Sequence, residues 1–206
     1  MREKINELLE IAKKLKEDKL VSDGVNKGSI SYRISEDTFL ISPSKIPYDS
    51  LDEESINIMK TDGSFVRSNA PISRDSYFHL KIYNERKDVL AIIHTHSKYA
   101  TALCLANKGL PFITYGMKFH CGGPIDIAPF ALPNTDKCND LIIKHLQDRK
   151  AVLLQNHGLV CVGDTLIDCY ETSEFIESLS ESYVHALMIG DVREISLGKE
   201  DEYGRV

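Results

Sequence analysis

Two histidines separated by a single residue end an apolar segment in the middle of the chain. The sequence VLAII at positions 89–93 is typical of a buried strand, and His94 and His96 follow it closely. Side chains two residues apart in a strand point to the same face, so the two imidazoles are expected to lie side by side. Imidazole nitrogen is a common ligand of zinc and other divalent metals. The pair therefore indicates a metal site, with two ordinary hydrogen-bonded histidines as the alternative.

A third histidine, His157, lies between two further apolar segments. Residues 151–155 and 159–162 are predicted strands, and the sequence NHG interrupts them. Catalytic zinc typically uses three protein ligands and keeps a fourth position open, whereas structural zinc takes four tight ligands. No cysteine lies at ligand spacing from the three histidines. If the histidines bind a metal, the pattern favours a catalytic site.

Hydrophobic periodicity places these segments in a mixed α/β chain. Helices are predicted over residues 2–18, 73–84, 98–107, 136–148 and 166–188, and further strands over 29–34, 38–41, 55–59, 112–115 and 125–128. Ser73 is the predicted N-cap of the second helix, which places Asp75 in the first turn and on one face with His79. A carboxylate there would also favour the helix dipole without any catalytic role. The last helix is predicted to place Ile167 and Leu187 on its apolar side.

The composition is that of an ordinary globular domain, with 206 residues, 42% of them hydrophobic, and a net charge of −6. The acidic balance argues against nucleic acid as a partner. No segment approaches the roughly 20 apolar residues that cross a membrane. The charged N-terminus has no apolar signal-peptide core, so a cytoplasmic protein is expected. The five cysteines form no Cys-x-x-Cys motif and are expected to be reduced and packed as small hydrophobic residues.

Four segments together resemble the class II aldolase/adducin family. They are HTHS at 94–97, QNHGL at 155–159, SRDSYFH at 73–79 and ISPSKIPY at 41–48. The similarity extends over nearly the whole chain. It implies a single α/β domain over residues 1–206, a three-layer sandwich around a largely antiparallel sheet. It also implies a homotetramer with active sites at subunit interfaces, completed by the tail from about residue 190.

The resemblance implies roles for individual residues at a metal centre. The implied metal ligands are His94, His96, His157 and Asp75. Asp75 is also the implied acid/base residue, and the cofactor is Zn²⁺, with Co²⁺ or Mn²⁺ as alternatives. Tyr115 and Tyr203 match tyrosines on the aldehyde side of the substrate. Without the resemblance, these two residues would be interpreted as a packed aromatic residue and a tail residue.

A phosphate site is implied next to the metal. The matching residues are Gly28, Ser29, Ser44, Lys45, Ser73 and Arg74. The match is partial, because the family shows Gly-Asn, Thr-Gly or Ser-Gly, and Ser-Ser where this chain has GS, SK and SR. Hydroxyls, backbone N–H groups and a helix N-terminus still suit an anion. Lys45 and Arg74 add positive charge, with solvated surface cations as the alternative.

The implied activity is that of a zinc-dependent aldolase. Its substrate would be a small sugar phosphate, a ketose 1-phosphate, cleaved to dihydroxyacetone phosphate and an aldehyde such as L-lactaldehyde. Asp75 departs from the glutamate of the aldolases and matches the aspartate of the family's L-ribulose-5-phosphate 4-epimerases. A further acidic residue of those epimerases is missing near Met117 and Lys118, and Tyr115 agrees better with the aldolases. An epimerase, a sugar-phosphate dehydratase and a non-catalytic adducin-like binding module remain the alternatives.

Overall fold

The computed structural model describes residues 1–21 and 28–196. In chain order the strands are β1 (Gly28–Arg33), β2 (Thr38–Ile41), β3 (Asn57–Lys60), β4 (Phe65–Arg67), β5 (Ala91–Thr95), β6 (Ile127–Ala128), β7 (Ala151–Leu154) and β8 (Gly158–Gly163). The helices are α1 (Arg2–Glu17), α2 (Ser76–Glu85), α3 (Lys98–Leu105), α4 (Gly116–His120), α5 (Asp136–Leu146) and α6 (Leu166–Ile189), with a short 3-10 turn at Tyr48–Ser50.

The strands form one sheet in the order β4-β3-β2-β1-β5-β8-β7-β6. All neighbouring strands are antiparallel except β6 and β7. The strand that carries His94 therefore lies in the middle of the sheet. Its neighbours fix its register from both sides, because His94 pairs with Ser29 of β1 and with Val160 of β8.

Side-chain alternation along the strands builds two cores, one on each face of the sheet. On β5, Ala91 and Ile93 pack in the core that contains α1, α3 and α6, whereas Ile92 packs in the core that contains α2 and α5. The prediction of an α/β three-layer sandwich around a largely antiparallel sheet is confirmed. The five cysteines are free, and four of them are buried, as expected. No helix within the described ranges is long and apolar enough to span a bilayer.

Several predicted elements need correction. The predicted strand over residues 112–115 is wrong: after a bridge between Leu110 and Ile125 the chain turns into α4. There α4 lies so close to α6 that a Cβ at Gly116 would lie 3.2 Å from the Phe175 ring. The short strand β4 was not predicted. The apolar side of α6 is narrower than expected, because Ile167 and Leu187 are each 40% exposed.

Candidate active site

The sheet register positions His94 at the end of β5. The imidazole is completely buried, and its Nδ1–H donates to the Leu159 carbonyl of β8 at 2.8 Å. This bond fixes the tautomer, so Nε2 carries a lone pair. His96 follows the last residue of the strand and points its own Nε2 toward that of His94 at 2.9 Å.

His157 reaches the same place from the turn between β7 and β8. Leu154 pairs with Gly158 across this turn, and the His157 N–H donates to the Leu154 carbonyl at 3.0 Å. Asn156 adopts a left-handed conformation with φ of 60°, which asparagine tolerates better than most residues. A Cβ at Gly158 would lie 2.7 Å from Cδ2 of His96, so only glycine lets the turn approach the ring. The Nε2 atoms of His94 and His157 are 3.3 Å apart.

The three imidazoles form a cluster of neutral nitrogen donors. Their ligand atoms all lie within 4.8 Å of one another. Burial lowers the pKa of all three rings, for His94 well below its usual value, and the neighbouring histidines lower the pKa of His94 and His96 further. Neutral imidazole nitrogens that converge in this way are good ligands for a divalent cation. The donor set therefore fits a bound metal ion such as zinc.

Asp75 lies beside this cluster and not within it. It is the N-cap residue of α2, which begins at Ser76, and Ser73 accepts a hydrogen bond from the Asp75 N–H at 3.3 Å. The predicted cap at Ser73 therefore stands one turn before the helix. Asp75 is close enough that its charge partly offsets the lowered pKa of His96 and His157. Among the described residues, the ligand atoms that all lie within 4.8 Å of one another belong to the three histidines, and Asp75 is not part of this group.

A cavity of about 500 Å³ opens next to the histidines. His96, His157 and Asp75 line it together with five residues of the predicted phosphate site: Gly28, Ser44, Lys45, Ser73 and Arg74. Ser44 joins two loops at this cavity, because its N–H donates to the Pro71 carbonyl at 2.8 Å and its hydroxyl to the Ile72 carbonyl at 3.0 Å.

Positive charge is concentrated at the cavity. Lys45 and Arg74 are exposed and form no ion pair with any described carboxylate. Lys45 has a φ of 64°, a left-handed conformation that costs a non-glycine residue about 1 kcal/mol. Lys16 of α1 also lines the cavity and pairs with Asp49. Sequence reasoning missed Lys16, since a lysine in an amphipathic helix carries no signal of its own.

Ser29 is the member of the predicted phosphate site that does not line this cavity. It is buried, and its hydroxyl bonds to Nε2 of His79 at 2.8 Å. Ser31 bonds to Nδ1 of the same ring at 2.7 Å and to the Tyr83 hydroxyl at 2.8 Å. Burial lowers the pKa of His79 to about 3, so the ring is neutral. The alternation of Ser29 and Ser31 on one face of β1 was the available signal for this polar network.

Tyr115, one of the two predicted tyrosines, does not line this cavity. Tyr115 is the N-cap residue of α4, is 43% exposed and packs edge-on against Phe119. Tyr203 lies outside the described residues. Their assignment to the aldehyde side therefore rests on the family resemblance.

Comparison with known proteins places the chain in a family. Residues 6–184 match the model of the class II aldolase and adducin N-terminal domain. The chain belongs to the class II aldolase and adducin family.

Several of the similar proteins are aldolases. The L-fuculose phosphate aldolase of Escherichia coli K12 is 32% identical over 171 residues, which cover 82% of this chain and 79% of that protein. The 5-deoxy-D-ribulose 1-phosphate aldolase of Bacillus thuringiensis is 31% identical, with coverage of 89% and 86%. A solved structure of L-fuculose 1-phosphate aldolase superimposes with a TM-score of 0.89 and 30% identity, over 98% of this chain and 93% of that one. These comparisons confirm the predicted enzyme class, a class II aldolase.

Proposed function

We propose that this protein is a zinc-dependent aldolase that cleaves a ketose 1-phosphate resembling L-fuculose 1-phosphate. The products are dihydroxyacetone phosphate and an aldehyde such as L-lactaldehyde. One observation carries the proposal: two of the three convergent imidazoles line a cavity that also presents a carboxylate and two cations that pair with no described carboxylate. This combination suits a substrate that has oxygen ligands at one end and a phosphate at the other.

Cleavage of a carbon–carbon bond beside a ketone leaves negative charge on the three-carbon fragment. His94, His96 and His157 would hold the metal, which supplies a Lewis acid to the carbonyl and hydroxyl oxygens of the ketose. Asp75 is placed to take or return a proton at the reacting hydroxyl or carbon. Its side chain is one methylene shorter than glutamate, so it reaches less far from the start of α2.

The phosphate is assigned to the other polar groups of the cavity. Lys45 and Arg74 supply charge-assisted hydrogen bonds, and the Arg74 guanidinium can hold two phosphate oxygens at once. The Ser44 and Ser73 hydroxyls add neutral donors at the same wall. The left-handed backbone conformation of Lys45 supports this role. Glycine would adopt the same conformation at a lower free-energy cost, so the lysine at this position serves its side-chain charge and not the fold.

We further propose that the active site is completed by other parts of a homotetramer formed from the single domain 1–206. Tyr115 is exposed on its own subunit and would serve the aldehyde side of a neighbouring site. The tail that carries Tyr203 would serve the same side. Light scattering of the intact protein tests the oligomeric state, and a monomer with full activity would contradict shared sites.

The aspartate at position 75 favours one alternative within the family, an epimerase that cleaves and rejoins the same bond without releasing fragments. The absence of an acidic residue at Met117 or Lys118 and the presence of Tyr115 argue for the aldolase. A non-catalytic module is disfavoured by the three histidines, whose nitrogens converge as the ligands of a divalent cation would.

An NMR time course of the zinc-loaded protein tests the assignment. L-Fuculose 1-phosphate and 5-deoxy-D-ribulose 1-phosphate are the first substrates, with L-ribulose 5-phosphate as the epimerase substrate. Triose phosphate and aldehyde signals are expected from a ketose 1-phosphate. Inversion of one carbon of L-ribulose 5-phosphate without release of fragments would identify the protein as an epimerase instead. Zinc-loaded protein that leaves all three unchanged would refute the proposed activity.

A further inference from the structure

One helix, α3, supports both histidine-bearing segments of the metal centre. At its N-terminus it follows His96 after a single residue, the N-cap Ser97. At its other end the Cys104 carbonyl accepts from the Asn156 N–H at 3.2 Å, and the Cys104 thiol donates to the Gly158 carbonyl at 3.3 Å. The residues on either side of His157, Asn156 and Gly158, are therefore both hydrogen-bonded to Cys104. Burial raises the pKa of this thiol to about 12, which keeps its proton available for the bond.

The N-terminus of α3 is held by a residue from another helix. Ser97 is the N-cap residue, yet its side chain makes no capping hydrogen bond. The carboxylate of Glu177 in α6 takes this role: one oxygen accepts from the Tyr99 N–H at 2.8 Å and the other from the Ala100 N–H at 2.9 Å. These are the donors that an N-cap side chain normally satisfies, and negative charge at a helix N-terminus is favourable.

Glu177 links α6, through α3, to the segments that carry His96 and His157. The helix α6 packs on β5 and β8, the strands next to the histidines, so Glu177 ties α3 to the sheet. If α3 rotated or slid by a fraction of an ångström, His96 would move at one end and the His157 turn at the other. Metal sites tolerate ligand displacements of only about 0.2 Å.

We propose that Glu177 is a positioning residue of the metal centre, which fixes the separation of His96 and His157 by clamping the first turn of α3. The inference rests on the proposed metal binding. Glu177 does not line the cavity, and its carboxylate oxygens accept from N–H groups of α3, so it acts through the backbone of that helix.

The test compares the full-length variants Glu177→Ala and Glu177→Gln with Glu174→Ala, an exposed glutamate one turn earlier on the same helix. Zn²⁺ affinity is measured by competition with a chromophoric chelator, well below the melting temperature of each metal-free protein. Co²⁺ absorption in the visible range reports the coordination geometry. Glu177→Ala is expected to weaken affinity about 10- to 100-fold and to change the Co²⁺ spectrum. Glu174→Ala is expected to bind as wild type.

Glu177→Gln keeps the shape of the side chain and one acceptor oxygen, so it tests the idea even if the alanine variant does not fold. A smaller loss of affinity in the same direction is expected. Wild-type affinity and spectrum in the glutamine variant, with or without a lower melting temperature, would overturn the inference and leave the proposed activity standing. Wild-type protein that binds neither ion would overturn the metal centre itself.

Discussion

Replacement of Gly158 by alanine should damage the metal centre much more than the fold. An added Cβ would lie 2.4 Å from the Thr95 carbonyl oxygen and 2.7 Å from Cδ2 of His96. Ordinary contact begins at 3.4 Å, so the Cβ needs about 0.7 Å more separation from the His96 ring and about 1 Å more from the Thr95 oxygen. Ligand positions in metal sites tolerate about 0.2 Å. The necessary displacement is therefore more than three times what the site allows.

Two quantities follow for Gly158→Ala. Overpacking of this kind costs about 1–3 kcal/mol in unfolding free energy. In a chain of this size each kcal/mol lowers the melting temperature by about 2–4 °C. Zinc affinity should fall by at least about 10- to 100-fold, the usual result when the support of a ligand is disturbed.

Gly190→Ala is the matched control, because no described residue lies within 4 Å of a Cβ at that position. Its stability should change by less than about 0.5 kcal/mol and its zinc affinity should not change. Urea unfolding of metal-free protein and chelator competition measure the two quantities separately. If Gly158→Ala binds zinc as tightly as wild type, the close packing of the turn on His96 does not control the metal centre.

Three further changes have distinct signatures. His94→Ala should abolish both zinc binding and aldol cleavage, whereas replacement of the exposed His185 should affect neither; metal analysis and a coupled triose phosphate assay decide this. Lys45→Gly should raise the unfolding free energy by about 1 kcal/mol through relief of the left-handed backbone, yet raise KM about tenfold through loss of one phosphate contact; equal KM values would remove Lys45 from the site. His79 is neutral when folded, with a pKa of about 3 against 6.5 in the unfolded chain, so only the unfolded state gains a proton as pH falls from 6.5 toward 3. Stability is therefore complete above pH 6.5 and declines below it, and His79→Gln should flatten this slope by about 1.4 kcal/mol per pH unit in urea titrations of metal-free protein.

Local pattern predicted that His94 and His96 lie together, and the family resemblance added His157 as the third ligand. The alternation of β5 places His94 and His96 together, and a tight hairpin between β7 and β8 returns His157 to the strand next to β5. Periodicity predicted a mixed α/β chain, and the family resemblance added the three-layer arrangement. These features depend on short stretches of chain, in which sequence spacing translates directly into position.

Contacts between distant segments were not predictable in this way. Ser29 was expected at the phosphate, but α2 brings His79 against β1, and the ring takes the Ser29 hydroxyl. The capping of α3 by Glu177 joins residues separated by 78 positions, and neither partner carries a recognisable motif. The segment over residues 112–115 contains residues that favour strands, yet it forms no strand, because the chain turns there into α4, which packs tightly on α6. In each case tertiary packing outweighs local preference.

The two ends of the cavity are held in different ways, and this has a consequence for substrate choice. Backbone groups fix the histidines: the Leu159 carbonyl orients His94, and the His157 turn is bonded to Leu154 on one side and to Cys104 on the other. Substitution of surface residues leaves such bonds in place. The proposed phosphate end depends instead on exposed side chains, Lys45 and Arg74, whose replacement would change charge without disturbing the core. Substitutions at Lys45 or Arg74 would therefore change the contacts to the anionic group of the substrate and leave the proposed metal site unchanged. The substrate of this protein is best sought by varying the anionic end of the sugar before varying the carbons at the metal.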